Sequence, residues 1–223
     1  MLAAISPRSP PDTFPPTKYA LREPNGLLAV GGDLSCERLI AAYTRGIFPW
    51  YSDGDPLLWW TPSPRSVLYP QSIRISRSLR KTIRQARYSI HVNQAFDEVI
   101  SACAGPRRDG AGTWIDSAMN RAYRALHREG FAHSIESWDD EGLAGGLYGV
   151  AIGQVFFGES MFARRPDASK VALTHLCTMG YSLIDCQLAS PHLERMGATS
   201  INRQAFEREL AALTPLPAVT HAV

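Results

Sequence analysis

The sequence predicts an α+β protein in which a small N-terminal domain packs on a larger domain built around a mixed β-sheet. Helix-like and strand-like segments alternate after residue 68 with mixed connections, which is typical of such a sheet. Residues 19–68 are dense in Gly, Pro and Trp and are too few to form an independent core. We therefore divide the chain into a flexible lead-in (1–18), a small N-terminal domain (19–68) and a main domain (69–223).

The first predicted helix lies in the small domain. Asp33 or Ser35 can cap its N-terminus, Leu39 and Tyr43 lie one turn apart, and Gly46 ends it. In the main domain we predict, in order, a strand over 72–76, a helix over 77–87, a strand over 88–92, helices over 94–104 and 116–128, and a strand over 132–138.

A glycine-rich hairpin follows these elements. Its predicted strands cover 143–152 and 154–162 and turn at Gly153. We then predict a helix that begins near Asp167 or Ser169 and is stopped by Gly180, a buried strand over 181–189, and two short helices at the end of the chain.

The composition is that of a globular protein. The 223 residues are 45% hydrophobic and 20% charged, which excludes a disordered or fibrous chain. No apolar run approaches the roughly 20 residues of a membrane span, and the N-terminus does not resemble a signal peptide. The four cysteines form no C-x-x-C pair, so neither a zinc site nor a disulfide framework is predicted. We expect a cytoplasmic protein.

The predicted helix over 77–87 has an unusual charge pattern. No acidic residue lies between Asp55 and Asp97, and the basic residues of the helix recur every three or four positions, opposite Leu79 and Ile83. The cationic face consists of Arg77, Arg80, Lys81, Arg84 and Arg87. Because no carboxylate is interleaved to pair with it, this face is either a solvated surface or a contact for a polyanion such as a nucleic-acid backbone.

Two polar patches interrupt apolar strands. Asp185 and Gln187 lie two residues apart near the end of a buried strand, so alternation predicts that they share a face. Glu159 lies alone among aromatic and Met side chains in the string FFGESMF. Such polar groups are costly to bury unless they are hydrogen-bonded or used, so each patch is either a satisfied structural group or part of a site.

Familiar catalytic signatures are missing from the sequence. It has no G-x-S-x-G, H-E-x-x-H or P-loop motif. His175 and Cys177 are two apart on a predicted helix and face different directions, so they do not form a nucleophile–base pair. Four tryptophans, Trp50, Trp59, Trp60 and Trp114, are candidates for platforms on which bases stack, although tryptophans more often fill cores.

Longer motifs carry a specific resemblance. The strings LREPNGLLAVGGDLSCERLIAAYTRGIFPW, GTWI, HSIE, FFGESMF and IDCQ occur in this order along the chain. From about Tyr19 to Ala198 the sequence resembles the leucyl/phenylalanyl-tRNA–protein transferase family. The strings GIFPW and GESMF are long enough to make a chance match negligible.

The resemblance implies a cytoplasmic aminoacyltransferase. It would move Leu or Phe, and Met less well, from aminoacyl-tRNA to proteins that begin with Arg or Lys, which tags them for N-degron proteolysis. The resemblance also implies that the catalytic domain, 69–223, is similar to the acetyltransferase (GNAT) fold and needs no metal or dissociable cofactor. We expect a monomer without membrane association.

The same resemblance implies roles for individual residues. Asp185, Gln187 and Glu159 would form the catalytic group, with Glu159 and Gln187 binding the acceptor peptide and Asp185 polarising Gln187. Trp50 and Trp114 would line the site for the terminal adenosine of the tRNA. The pocket for the transferred side chain would consist of Leu147, where the family usually has Met, and of Phe156, Met161, Leu173 and Ile184. With a tRNA as substrate, the phosphate contacts would come from Arg77, Arg80, Lys81 and Arg84.

Three other functions remain open at this point. A coenzyme-A-dependent acetyltransferase would need a glycine-rich pyrophosphate loop that opens a helix, and the segment ARRPDASK over 163–170 lacks the glycines. A non-catalytic RNA-binding module would keep the basic helix without needing the polar patches. A peptidoglycan-type aminoacyltransferase would take a cell-wall precursor as its acceptor.

Overall fold

A computed structural model of the protein describes residues 2–52, 54–105 and 116–220. Within these ranges the helices are α1 (Cys36–Tyr43), α2 (Arg77–Arg84), α3 (Phe96–Cys103), α4 (Ser117–Arg128), α5 (Ala168–Leu176), α6 (Pro191–Arg195) and α7 (Arg203–Leu213). The strands are β1 (Ala3–Ile5), β2 (Leu27–Gly31), β3 (Phe48–Pro49), β4 (Leu58–Trp60), β5 (Arg65–Leu68), β6 (Ser89–Val92), β7 (Ala132–Asp139), β8 (Gly142–Ile152), β9 (Val155–Ala163), β10 (Leu183–Gln187) and β11 (Thr199–Ile201). None of the helices in these ranges is long and apolar enough to cross a membrane.

The smaller sheet includes the start of the chain. Its strand order is β1-β2-β4-β3, and β1 runs parallel to β2. The buried guanidinium of Arg38, on α1, donates to the backbone carbonyls of Ser9, Pro10 and Pro11 at 2.9, 3.3 and 3.4 Å. The segment predicted as a flexible lead-in over 1–18 is therefore built into the fold, because its carbonyls are satisfied by a buried cation and its first strand pairs with β2.

The larger sheet positions the polar patches. Its strand order is β11-β5-β10-β9-β8-β7-β6, and neighbours run antiparallel except for β9 and β10, which are parallel. The hairpin between β8 and β9 turns at Gly153, as predicted. Gly153 has a φ of 56°, and a Cβ there would lie 2.4 Å from the carbonyl oxygen of Leu213, so only glycine fits. The larger sheet also takes in β5, which begins before the predicted domain boundary at residue 68.

Most predicted helices are confirmed by the structure, while one predicted strand is wrong. Ser35 caps α1 by accepting from the N–H of Arg38, and Asp116 caps α4 by accepting from the N–H of Met119. The strand expected over 72–76 does not form. Its start belongs to a 3-10 turn opened by a proline, and the N–H of Arg74 donates to the carbonyl of Met196 at 2.8 Å instead of to a strand.

The two faces of the larger sheet are buried in different ways. One face packs on α3, α4 and the smaller sheet, and the rings of Tyr43 on α1 and Phe157 on β9 lie 5.1 Å apart in this core. The other face packs on α5 through a second cluster that includes Leu147, Phe156 and Leu173. The polar patches lie on β9 and β10, the strands that carry side chains into both cores.

Candidate active site

Two β-bulges interrupt the strands that carry the polar patches. On β9, Gly158 pairs with Gly149 and Ser160 pairs with Tyr148, so Glu159 is an extra residue between the two pairs. A bulge of this kind bends the strand and re-aims the side chains around it. Glu159 therefore takes a direction that regular alternation would not give it.

The second bulge lies at the end of β10. Asp185 pairs with Val67 and Gln187 pairs with Ser66, which leaves Cys186 as the extra residue. Gln187 itself has a φ of 59°, in the left-handed region that residues other than glycine rarely adopt. Simple alternation therefore does not describe how Asp185 and Gln187 are placed relative to each other.

Glu159 lies at the centre of a buried hydrogen-bond network. Its Oε1 accepts from the hydroxyl of Tyr43 at 2.7 Å and from Nε2 of Gln187 at 3.0 Å, and its Oε2 accepts from the hydroxyl of Tyr123 at 2.9 Å. The two tyrosine hydroxyls are themselves 2.5 Å apart. Burial raises the pKa of Glu159 to about 7, although the three donors oppose the rise. The carboxyl group can therefore exchange a proton near neutral pH.

Asp185 forms a buried ion pair with Arg65. Its Oδ1 and Oδ2 accept from Nε and Nη2 of Arg65 at 2.8 and 2.6 Å, in the two-pronged geometry that suits a guanidinium. The guanidinium lies between the rings of Phe48 and Phe206, 4.7 Å from each centroid, and also donates to the carbonyl of Gly46. The ion pair links β5 to β10. Through Phe206 and Gly46 its guanidinium also contacts α7 and the turn that follows α1.

Asp185 orients Gln187 through the backbone. Its Oδ1 accepts from the backbone N–H of Gln187 at 2.9 Å, whereas the side-chain amide of Gln187 donates to Glu159. The polarising contact that we expected between Asp185 and the amide is thus replaced in this structure by a contact that holds the bulged backbone. The side chain of Gln187 is oriented by Glu159.

A cavity of about 140 Å³ brings eight of the predicted site residues together. They are the polar residues Glu159, Asp185 and Gln187 and the apolar residues Leu147, Phe156, Met161, Leu173 and Ile184. Tyr148, Leu176 and Leu193 also line it. An apolar side chain and a hydrogen-bonding group can therefore be bound side by side in one cavity.

Two family models match the chain. The one described as leucyl/phenylalanyl-tRNA protein transferase matches residues 67–211, and the one described as the N-terminal domain of that protein matches residues 32–63. The chain is also 58% identical over 208 residues to the leucyl/phenylalanyl-tRNA–protein transferase of Nitrosomonas europaea, covering 92% of this chain and 88% of the relative. The chain belongs to the leucyl/phenylalanyl-tRNA protein transferase family.

A second relative is similar in sequence, whereas the similarity to solved structures is low. The leucyl/phenylalanyl-tRNA–protein transferase of Pseudomonas fluorescens is 56% identical over 203 residues, covering 89% of this chain and 90% of the relative. Among solved structures, L-PGS from Bacillus licheniformis is 11% identical with a TM-score of 0.39, covering 70% of this chain and 52% of that one.

Trp50, one of the two tryptophans predicted to hold adenosine, lies outside the cavity lining described above. Trp50 is 41% exposed, and its ring centroid lies 5.5 Å from that of Trp60. The indole N–H of Trp60 donates to the backbone carbonyl of Trp50 at 2.6 Å, which fixes the chain at that point. Trp114, with the rest of the string GTWI, lies outside the described residues. The structure thus presents Trp50 as an accessible aromatic surface.

The basic helix is shorter than predicted and more exposed. Ser76 caps α2 by accepting from the N–H of Leu79, which is buried, whereas Ile83 on the predicted apolar side is 36% exposed. The cationic side chains of Arg77, Arg80, Lys81 and Arg84 are all exposed. Across the described residues no carboxylate forms an ion pair with any of the four.

Sequence reasoning missed the residues that surround the acidic groups. Arg65, Tyr43 and Tyr123 contact Asp185 or Glu159 from elements distant in the chain. Arg65 at the start of a strand that continues with Val67 and Leu68 was the signal in the sequence, since a buried cation requires a partner. The described residues contain no group of three or more His, Cys, Asp or Glu side chains able to hold a metal ion.

Proposed function

We propose that the protein is an aminoacyltransferase that moves Leu or Phe, and Met less well, from aminoacyl-tRNA to the N-terminal Arg or Lys of acceptor proteins. The transfer would mark these proteins for N-degron proteolysis. One observation carries the proposal: the cavity is lined both by apolar side chains and by the hydrogen-bonded pair of Glu159 and Gln187. Membership of a family named for this transfer supports it.

The apolar lining suits the side chain of the donor. Leu147, Phe156, Met161, Leu173 and Ile184 offer it no charge and no hydrogen-bonding group, so a Leu, Phe or Met side chain is favoured over a charged one. Phe156 and Ile184 are nearly fully buried and lie opposite each other on the parallel strands β9 and β10. Their positions are therefore set by the sheet.

Glu159 suits the cationic side chain of the acceptor. Glu159 as a whole is only 7% exposed, and charge-assisted hydrogen bonds gain strength when water is excluded. The bound cation favours the ionised carboxylate, so acceptor binding should lower the pKa of Glu159 from about 7. An uncharged N-terminal residue would leave the ionised carboxylate buried without a cationic partner.

The reaction needs positioning more than covalent catalysis. The neutral α-amine of the acceptor attacks the ester carbonyl of the aminoacyl-tRNA, the new C–N bond forms, and the bond from carbon to the tRNA 3′ oxygen breaks. The amine loses a proton and the released hydroxyl carries one. Because Gln187 directs its Nε2 at Glu159, its carbonyl oxygen is left to accept from the amine and align its lone pair. Positioning of this kind can contribute about 7–11 kcal/mol.

The remaining parts of the proposal concern the surroundings of the site. We propose a small N-terminal domain and a catalytic domain with a GNAT-like sheet, supported by the parallel pair β9–β10 within an otherwise antiparallel sheet. Trp50 and Trp114 would stack on the terminal adenosine, and the cationic face of α2 would contact tRNA phosphates. The enzyme would act as a cytoplasmic monomer without a cofactor.

The acetyltransferase alternative conflicts with the start of α5. In that reading this helix N-terminus would hold the pyrophosphate of coenzyme A. Asp167 occupies the N-cap position instead and forms an ion pair with Lys170 at 2.7 Å. A carboxylate at this position repels the phosphates that a helix N-terminus would otherwise attract.

The deciding experiment incubates the protein with Phe-tRNA and one of two peptides that differ only in an N-terminal Arg or Ala. We expect the Arg peptide to be extended by Phe and the Ala peptide to remain unchanged. Transfer to neither peptide together with tRNA binding would favour a non-catalytic RNA-binding module. Turnover of acetyl-coenzyme A without tRNA would favour an acetyltransferase, and transfer to a cell-wall precursor would favour the peptidoglycan-type enzyme.

A further inference from the structure

The hydroxyl of Tyr148 is buried without a hydrogen-bond partner. Within the described ranges, the only two buried side-chain polar atoms that lack a partner are this oxygen and Nε of Arg124. Tyr148 is fully buried and is one of the residues that line the site cavity. Buried hydroxyls are normally satisfied, so one left open on a residue that lines a cavity points to a group that arrives from outside the chain.

Tyr148 lies beside the carboxylate of the site. It precedes Gly149 at the bulge that holds Glu159, and its ring packs edge-on against Tyr123 and Phe96, with centroids 5.6 and 5.9 Å away. Tyr123 donates to Glu159, as Tyr43 does. Burial and the nearby charge of Glu159 raise the pKa of Tyr148, so its hydroxyl stays protonated and neutral. Two tyrosines thus donate hydrogen bonds to the carboxylate, and the hydroxyl of the third has no hydrogen-bond partner.

The carboxylate alone cannot satisfy a guanidinium. Glu159 already accepts three hydrogen bonds from the protein, and its two oxygens have about four acceptor positions in all. A guanidinium brings five N–H donors in a rigid plane, whereas an ammonium brings three on a flexible stem. Any donor left unpaired in the cavity would cost binding energy, so an Arg side chain needs a further acceptor more than a Lys side chain does.

We propose that the Tyr148 hydroxyl accepts a hydrogen bond from the guanidinium of an acceptor with an N-terminal Arg, and so favours Arg over Lys acceptors. The inference rests on the proposed function and adds a specificity residue to its acceptor site. Tyr148 would contact the substrate directly, next to the carboxylate that carries the opposite charge.

The test compares Tyr148→Phe with the wild type in transfer from Phe-tRNA to two peptides that differ only in an N-terminal Arg or Lys. We expect kcat/KM to fall about tenfold or more for the Arg peptide and less than about threefold for the Lys peptide. The matched control is Tyr88→Phe, which removes a hydroxyl that donates to the carbonyl of Pro166 at 2.8 Å. The control should leave the Arg-to-Lys ratio unchanged.

Stability gives a second readout. Tyr148→Phe removes a hydroxyl with no bond to lose, so the melting temperature should stay the same or rise, whereas Tyr88→Phe should lower it. An unchanged Arg-to-Lys ratio, or a loss confined to the KM for Phe-tRNA, would overturn the inference while leaving the proposed function standing. If the wild type extends neither peptide, the inference and the proposed function are both wrong.

Discussion

The side-chain amide of Gln187 donates to Oε1 of Glu159 at 3.0 Å, and this contact links the two bulged strands of the site. Glu159 can make this contact because it is the extra residue of one bulge. Gln187 can make it because its backbone is left-handed and its N–H donates to Asp185. The group that would read the acceptor's charge and the group that would align its amine are therefore mechanically coupled. A change at either residue should affect the other.

Replacing Glu159 should weaken the binding of the acceptor without weakening the binding of the donor. Glu159→Gln removes the charge and keeps the shape, so acceptors that begin with Arg or Lys should lose about 1.5–3 kcal/mol of binding. The measurements are peptide and Phe-tRNA affinities. Glu136→Gln is the matched control, because Glu136 is also buried and accepts from Ser134 and the N–H of Ala95, outside the cavity lining. An equal loss of donor and acceptor affinity would contradict the assignment.

Enlarging the apolar pocket should change the choice of donor. Leu173→Ala should reduce kcat/KM for Leu-tRNA by the equivalent of about 1–3 kcal/mol and affect bulkier Phe-tRNA less, since the loss follows the apolar contact removed. Val171→Ala, on the same helix but outside the cavity lining, controls for general loosening of α5. Comparable transfer of Asp or Lys from their tRNAs by the wild type would show that these residues do not form the donor pocket.

The Arg65–Asp185 pair should be essential for stability. Arg65→Met leaves Asp185 charged and buried, which should cost about 3–5 kcal/mol in the free energy of unfolding. Arg124→Met is the control, because the pair of Arg124 with Asp97 is half-exposed and should contribute about 1 kcal/mol or less. Chemical unfolding of both variants gives the comparison. Similar losses would mean that the buried pair has no special part in holding the site.

Glu159 should make stability depend on pH between about 4.5 and 7. The folded protein holds the proton of Glu159 with a pKa of about 7, raised from the ordinary value of 4.5, so this stabilising effect is complete below pH 4.5 and is lost as pH rises to about 7. The full difference corresponds to about 3 kcal/mol, at about 1.4 kcal/mol per pH unit. From pH 4.5 to pH 7, the free energy of unfolding of the wild type should therefore fall relative to that of Glu159→Gln, as unfolding curves of both proteins would show. Parallel pH dependences would refute the expectation.

The cationic face of α2 should control the salt dependence of tRNA binding. Each phosphate contact adds about 0.7 to 0.9 to the slope of log affinity against log salt, so changing Arg80 and Arg84 together to Ala should flatten it by more than about one. Transfer from an aminoacylated adenosine analogue without a stem should not change. Two exposed arginines on other segments, Arg22 and Arg208, provide the control pair. An unchanged slope in a folded Arg80/Arg84 variant would make this face an ordinary solvated surface.

Local patterns in the sequence determined the elements whose signals are local. Ser35, one of two predicted caps, caps α1, and Asp116 lies at the predicted start of α4. Gly153 turns the long hairpin, because a cap or a left-handed turn depends on residues only a few positions apart. The longer strings identified the family and, through it, the residues that the cavity brings together. The strand expected over 72–76 failed because an opening proline and the contact of Arg74 with Met196 outweighed its strand-like composition.

Only the tertiary structure decided what surrounds those residues. Arg65 reaches Asp185, and Tyr43 and Tyr123 reach Glu159, because the order of strands and the packing of α1 and α4 bring distant segments together. No periodicity encodes such contacts, since each depends on the position of an entire element. The two bulges are likewise defined by pairing with neighbouring strands, which is why regular alternation could not place Glu159 or Gln187.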